Sequence, residues 1–225
     1  MSEGERPVGE EDLAPGHYVD SDHPAVVAFT EDVMDRAAAT DDRERAVALF
    51  LAVRDGYRYD PYDTSRNPDD YRASAILDTS SSWCVPKSVL LTATARAAGI
   101  PARLGFADVR NHLSSEKLLA VMGTDVFAWH GYSELHLDGA WRKASSAFNV
   151  ELCERFGTKV LDFDGRADAL MHPYDEAGNR HMEYLRQRGS YADLPLEDIF
   201  ATFDQIYPNG LASSGDDDPA FAAGA

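Results

Sequence analysis

The chain of 225 residues is acidic, with 39 Asp and Glu against 21 Lys and Arg and a formal net charge of −18 at pH 7. This charge argues against nucleic acid or an anionic membrane as the main partner, because both would repel the protein. The hydrophobic fraction of 44% and the presence of only two cysteines are typical of one globular domain in a reducing compartment. The acidic start has no apolar run typical of a signal peptide, so we predict a cytoplasmic protein.

The N-terminal part predicts two helices. Residues 1–20 contain acids, Gly and Pro with little apolar periodicity, which predicts a flexible leader before a single domain at residues 21–210. Asp22-His23-Pro24 is typical of a helix start. A second helix begins at Thr40-Asp41, where Glu44 completes a pattern similar to a capping box. We expect these helices to pack as an antiparallel pair.

Cys84 lies at the predicted start of a buried helix. Pro86 is tolerated only in a first turn, and Gly99 followed by Pro101 marks the end. The residues between them are small or apolar on every side, as in a buried helix. A thiol at a helix start feels the positive end of the backbone dipoles, which lowers its pKa. Cys84 is therefore a candidate nucleophile, although many free cysteines are simply small buried hydrophobic residues.

Two strands and a hairpin follow this helix. Residues 102–110 alternate as in a strand, residues 116–122 have the features of a short helix, and residues 129–137 predict a second strand. Asp138-Gly139 then separates that strand from residues 140–144. An Asp-Gly pair between two such segments is the strongest short-range signal for a β-hairpin.

The hairpin register predicts the neighbours of His130. A two-residue turn, extended along both strands, pairs His130 with Ala147. The same register pairs Tyr132 with Ser145. Ser145 and Asn149 then become diagonal neighbours of His130, roughly 7–8 Å away between backbones, and either could orient the imidazole. A slip of one residue would exchange the two faces.

The C-terminal part is less regular. Residues 195–207 have helical spacing, residues 161–165 and 181–191 show no clear pattern, and residues 211–225 predict a disordered acidic tail. Residues 162–168 are similar to an acidic calcium loop, but the EF-hand ligand spacing fails. The remaining histidines and acids of this region lack metal-ligand spacing, so we predict no metal and no cofactor.

Together these features resemble the transglutaminase-like superfamily, including uncharacterised prokaryotic members. The resemblance covers about residues 45–150 and rests on Cys84 at a helix start, the run Ala97-Ala98-Gly99-Ile100-Pro101-Ala102-Arg103, the His-x-x-x-Glu strand from His130 to Glu134, and Trp141 after the turn. It implies an α+β fold with a papain-like core. In that fold the chain begins with helices, and the cysteine helix packs on an antiparallel sheet that carries the histidine.

The resemblance also implies a catalytic mechanism. Cys84 would be the nucleophile of an acyl transfer through a thioester, with His130 as general base and later as acid. The acidic third residue of the family corresponds to Ser145, which cannot stabilise an imidazolium as a carboxylate does. Either Asn149 takes over the orienting role, or the enzyme is slow, or activity is lost.

Two functions therefore remain open. The first is a thiol-dependent hydrolase or acyl transferase that acts on a peptide or protein amide, with Trp83 and Tyr132 as candidates for substrate binding. Hydrolysis and transfer share the same acyl-enzyme and differ only in the nucleophile that attacks it. The second is a catalytically inactive binding or scaffold domain, suggested by Ser145 in the place of an acid.

Overall fold

The computed structural model describes residues 7–112, 114–207, 218 and 221 of the chain. The helices of this part are α1 (Pro24–Ala37), α2 (Asp42–Gly56), α3 (Ala73–Ile76), α4 (Cys84–Ala97), α5 (Glu116–Met122), α6 (Val150–Phe156) and α7 (Leu196–Ile206). The strands are β1 (Arg58–Tyr59), β2 (Ser81–Ser82), β3 (Ala102–Asn111), β4 (Val126–Leu137), β5 (Ala140–Ala144) and β6 (Met182–Tyr191).

The first two helices begin close to the predicted positions. The side chain of Asp41 caps α2 by accepting a hydrogen bond from the Glu44 N–H at 2.8 Å. The Glu44 carboxylate in turn accepts hydrogen bonds from the backbone and hydroxyl of Thr40. These bonds satisfy donors that have no partner within the helix, which explains why α2 starts here. Helices α1 and α2 pack against each other and against α4.

The cysteine helix α4 is the centre of the fold. Every residue from Cys84 to Arg96 is buried. Pro86 lies in the first turn as predicted, and Gly99 adopts a left-handed conformation with φ 81° just beyond the end. One side of α4 packs on β3 and β4, while α1, α2 and α3 cover other parts of it. Because α4 is enclosed on several sides, it needs no polar face.

The main sheet is antiparallel, in the order β5-β4-β3-β6. The hairpin between β4 and β5 has positive φ at both turn residues, 52° at Asp138 and 79° at Gly139. This is the turn type that matches the twist of the flanking strands. The α+β, papain-like class implied by the resemblance is confirmed, with the cysteine helix packed on an antiparallel sheet.

The predicted hairpin register is correct only near the turn. Pairing runs from Leu137 with Ala140 to Ser133 with Ala144, where β5 ends. The predicted pairs beyond it, including His130 with Ala147, do not form. Instead the Ser145 N–H donates to the carbonyl of Ala169 at 2.8 Å, because the chain leaves β4 to pair with a different segment.

Strand β6 was not predicted from the sequence. It pairs with β3 at the edge of the sheet, and its register shifts twice along that ladder. Most of its residues are exposed or half-buried. An irregular edge strand of this kind lacks the strict alternation by which strands are predicted.

The last residues of the predicted leader, 17–20, pack against the rest of the protein. Val19 is fully buried in the core. The carboxylate of Asp193 accepts hydrogen bonds from the backbone N–H groups of His17, Tyr18 and Val19. Two distant parts of the chain are thus joined through one side chain, which short-range composition does not reveal.

The predictions for the two ends of the chain concern mainly residues outside the described part. This applies to residues 1–6 of the leader and to most of the predicted disordered tail at 211–225. The two tail residues that the structure describes, Asp218 and Phe221, are packed against the rest of the protein. The single domain at 21–210 stays a prediction.

Candidate active site

Strand β4 and helix α4 meet beside Cys84, the first residue of the helix. A Cβ atom at Gly131 would lie 2.8 Å from the Ser88 Oγ and 3.2 Å from the Cys84 carbonyl oxygen. Only glycine permits so close an approach. The N–H of Gly131 also acts as a hydrogen-bond donor to the Cys84 sulfur. The residue after His130 is therefore in direct contact with the nucleophile candidate.

A kink in β4 precedes His130. Trp129 has φ 58°, a conformation that bulky residues rarely adopt. Its N–H donates to Asp108 at 3.2 Å, and the N–H of Ala128 donates to the Tyr207 hydroxyl at 2.9 Å. The pairing of β3 with β4 shifts at the same place. These contacts hold the strained residue in place and fix where His130 lies.

Cys84 and His130 line the same cavity, which has a volume of about 70 Å³. Most of the other lining side chains are aromatic or aliphatic, so the site is apolar with a few polar groups. The aromatic ones are Tyr59, Trp83, Phe127, Phe148, Phe203, Tyr207 and Phe221. An apolar cavity with a few convergent polar groups is typical of a binding or catalytic site.

The predicted thiolate at Cys84 is wrong for this arrangement. Burial raises the pKa of the Cys84 thiol to about 11, and the backbone N–H groups of Gly131, Val85 and Cys84 oppose this rise only in part. Removal from water disfavours the charged form more strongly than the helix start favours it. Cys84 is therefore a neutral thiol at pH 7.

His130 is likewise neutral. Burial alone lowers the pKa of its imidazole to about 4. Its ring also lies against Tyr184, with 6.2 Å between the ring centroids. The resting pair is thus a neutral thiol and a neutral imidazole, and an imidazole that is unprotonated at pH 7 is free to accept a proton.

Ser145 lies at the His130 ring, as predicted, but Asn149 does not bond to it. The Ser145 Oγ is 3.5 Å from the His130 Nε2, long for a hydrogen bond. The Asn149 Oδ1 accepts the Tyr59 N–H at 3.0 Å, and its Nδ2 donates to Glu151 at 2.6 Å. A hydrogen bond between Ser145 and His130 at 3.5 Å is therefore weak.

A family model of the transglutaminase-like superfamily matches residues 28–145, slightly more than half of the chain. The chain belongs to the transglutaminase-like superfamily. The match includes Cys84 and His130 and ends at Ser145. A search of the curated proteins finds no match to this transglutaminase-like sequence.

Two solved structures are similar to this transglutaminase-like protein. One, named a "Putative Cysteine Protease" from Cytophaga hutchinsonii, is 14% identical with a TM-score of 0.43. The match covers 80% of the present chain and 53% of the other. A "putative protease" from Parabacteroides distasonis ATCC 8503 is 16% identical with a TM-score of 0.38, covering 63% of this chain and 27% of the other. The chain thus spans about half and about a quarter of these two proteins.

The two predicted substrate-binding residues have different positions in this transglutaminase-like fold. Trp83 lines the cavity beside Cys84. Tyr132 does not line it, because its ring lies against Gly105 and its hydroxyl donates to Gln187 at 3.0 Å. Tyr132 is therefore a packing residue, which corrects its predicted role.

Glu134, the acidic residue of the His-x-x-x-Glu motif, has Arg103 and not His130 as its partner. Glu134 forms a buried ion pair with Arg103. The Arg103 guanidinium also lies over the Trp141 ring, 3.9 Å from its centroid. Arg103, Glu134 and Trp141, all part of the superfamily resemblance, thus form a structural cluster on neighbouring strands. None of the three lines the cavity of Cys84 and His130.

The described residues give no indication of a metal site or a membrane span. No group of three or more His, Cys, Asp or Glu side chains in this part of the chain is placed to hold a metal ion. Among the described helices, none combines the length and the apolar character that crossing a bilayer requires.

Lys87 lies one turn along α4 from Cys84 and was not predicted from the sequence as a site residue. Its side chain is fully buried, and its Nζ donates to the carbonyls of Arg54 at 2.8 Å and Tyr57 at 2.6 Å. These carbonyls lie at the end of α2, where they lack helical partners. Burial lowers the pKa of Lys87 to about 7. The single lysine of this helix, among small and apolar residues, is the sequence signal that could have indicated a buried cation beside Cys84.

We expect Lys87→Met to remove a pH-dependent part of the stability. Between the folded pKa of about 7 and the ordinary value of 10.5, the unfolded chain carries one more proton than the folded protein. The free energy of unfolding of the native protein should therefore rise with pH across this window relative to Lys87→Met, by about 1.4 kcal/mol per pH unit. Urea unfolding of both proteins measures the difference.

A substitution of an exposed lysine, Lys159→Met, is the matched control and should follow the native profile. A constant difference between the native protein and Lys87→Met across the window would show that Lys87 titrates normally in the folded state.

Proposed function

We propose that this transglutaminase-like protein is a thiol-dependent enzyme that hydrolyses or transfers acyl groups of peptide or protein amides through a thioester at Cys84. The observation that carries this proposal is the shared cavity, in which Cys84 and His130 lie together and the backbone at Gly131 contacts the sulfur. The Ser145 hydroxyl, 3.5 Å from the His130 Nε2, supports the assignment of His130 as the base, because a polar group lies at its ring.

The neutral resting pair determines how the reaction would begin. As the Cys84 sulfur attacks the substrate carbonyl, neutral His130 accepts the thiol proton, so charge develops only along the reaction path. The imidazolium then returns this proton to the leaving amine as the tetrahedral intermediate collapses to a thioester. Water or an acceptor amine then attacks the thioester while His130 takes its proton. The C–S bond breaks, the acyl group leaves on the new nucleophile, and the imidazolium returns the proton to the Cys84 sulfur.

The start of α4 would stabilise the oxyanion. The N–H groups of the first helical turn have no acceptor within the helix, and they carry the positive end of the helix dipole. Those of Cys84 and Val85 already lie close to the sulfur. Donors fixed in an apolar cavity stabilise a developing negative charge more strongly than water-exposed donors do.

The proposal is tested with a small ester, 4-nitrophenyl acetate, and intact-mass analysis. We expect one acetyl group on Cys84 of the native protein, and none at this position in Cys84→Ala. Cys153 is an internal control, because it is a second buried thiol whose pKa is also raised by burial. Acetylation of both cysteines at equal rates would contradict an activated Cys84.

The second candidate is a binding domain without catalysis. It is favoured by Ser145 in the place of the acid, since a serine hydroxyl does not stabilise an imidazolium at His130 as a carboxylate would. It predicts a folded native protein that 4-nitrophenyl acetate leaves unmodified at Cys84.

A further inference from the structure

Phe221, close to the C-terminus, lies in the proposed active-site cavity. Its side chain is 6% exposed, and its ring packs against Tyr59, Tyr62 and Phe156 at centroid distances of 6.3, 6.0 and 5.5 Å. It lines the same cavity as Cys84 and His130. An aromatic side chain from the last few residues of the sequence therefore occupies part of the space beside Cys84 and His130.

Polar contacts hold the same segment in place. The Arg58 guanidinium donates to the carbonyl oxygen of Phe221. The Asp218 carboxylate accepts hydrogen bonds from the Tyr62 hydroxyl at 3.1 Å and from the Ser115 hydroxyl at 2.6 Å. A backbone bond from the Phe221 N–H to the Asp218 carbonyl, at 2.9 Å, sets the spacing of the two side chains. Asp218 and Phe221 are thus held by backbone and side-chain contacts, as two residues of a peptide ligand would be.

Phe221 also lines a second, smaller cavity of about 20 Å³. Two buried polar atoms of this cavity, the Ser114 Oγ and the His181 Nδ1, have no hydrogen-bond partner among the described residues. Buried polar atoms are normally satisfied, so these two are available to a polar group of a bound molecule or to a water. Because Phe221 lines both cavities, its withdrawal would enlarge the space beside Cys84 toward these atoms.

We propose that the contacts of Phe221 and Asp218 define a peptide-binding subsite, and that these two residues of the chain itself occupy it in competition with substrate. The ligand class is a peptide with an aromatic residue preceded, three positions earlier, by an acidic one. The catalytic use of this subsite rests on the proposed function, because the subsite would hold a substrate segment next to Cys84. Asp218 and Phe221 keep that place filled until a substrate displaces them.

The test measures binding in a background that cannot react. A fluorescein-labelled, amidated peptide with the sequence of residues 216–221 is titrated against Cys84→Ala and against Cys84→Ala/Phe221→Ala, with anisotropy as the readout. Removing the internal aromatic side chain should tighten peptide binding by roughly tenfold or more, because a bound competitor lowers the competent fraction. A peptide with Ala in place of its Phe should lose this gain.

Two further variants exclude a general loosening of the fold. Phe29→Ala removes a half-buried phenylalanine of α1, a helix that lines neither cavity, and should leave peptide affinity unchanged. Asp218→Asn weakens only the polar contacts of Asp218, so it should raise peptide affinity less than Phe221→Ala does. Should Phe221→Ala fail to fold, the rise in affinity of Asp218→Asn still tests the proposal.

Equal peptide affinity with and without the internal Phe221 side chain, or equal binding of the Ala peptide, would overturn the proposal. The readout needs no reactive thiol, whereas the acetylation test uses a small ester without a peptide. The subsite and the catalytic proposal can therefore fail separately.

Discussion

Replacing His130 with Ala should lower the rate of Cys84 acetylation at pH 7 by about 10²–10⁴-fold, the usual contribution of general-base catalysis. The native rate should stay nearly level across the neutral range. It should fall as the pH drops through about 4, because protonated His130 cannot accept the thiol proton. In His130→Ala the rate should instead rise tenfold per pH unit toward the Cys84 pKa of about 11, because only the thiolate reacts. Acetylation followed by intact mass as a function of pH gives both profiles.

The matched control is His136→Ala. His136 lies on the same strand but does not line the cavity. Its ring centroid is 5.2 Å from that of Trp141. Its rate profile should match that of the native protein. An inflection near the ordinary histidine value of 6.5 in the native profile would contradict the neutral resting pair.

The second large effect is expected from Ser145→Asp, which supplies the missing carboxylate. A negative charge beside the His130 Nε2 stabilises the imidazolium and should raise the His130 pKa by roughly 1–3 units from its value of about 4. With the imidazolium stabilised, acetylation of Cys84 should accelerate by roughly 10- to 10³-fold at pH 7. An NMR titration of the His130 ring and the acetylation rate test the two parts separately.

This gain should have a cost in stability, because position 145 is only 1% exposed. A buried carboxylate with a single partner lowers the free energy of unfolding, here by about 1–3 kcal/mol. Ser145→Asn is the matched control, since it has the same size as Asp without the charge. If Asn accelerates the reaction as much as Asp, geometry rather than charge limits the native protein.

The local elements could be predicted because their signals are local. Pro86 in a first turn, Gly99 beyond a helix end and Asp138-Gly139 in a hairpin each restrict the backbone directly. Strand β6 lacked such a signal, since it is an irregular edge strand whose ladder depends on β3. The packing of residues 17–19 on Asp193 was missed for the same reason, because its hydrogen bonds join distant parts of the chain.

The sequence proposed the two residues of the candidate site but not their electrostatics. A cysteine at a helix start and a histidine on the hairpin strand singled out Cys84 and His130, and both line one cavity in the structure. Their catalytic role stays a prediction. The predicted thiolate was wrong because burial outweighed the helix dipole. Asn149 does not orient the His130 ring, because the hairpin pairing ends at Ala144. The Asn149 amide instead hydrogen-bonds to Tyr59 and Glu151.

The sequence by itself determined the helix starts, the hairpin turn, the family and the two side chains of the proposed chemistry, because each depends on residue type and short-range spacing. Only the tertiary structure decided how deeply these side chains are buried, and hence their protonation states. It also decided that Lys87 is buried in α4 and that Phe221 packs into the cavity. Burial and long-range contacts arise from all the elements packed around a residue, and no short stretch of sequence contains that information.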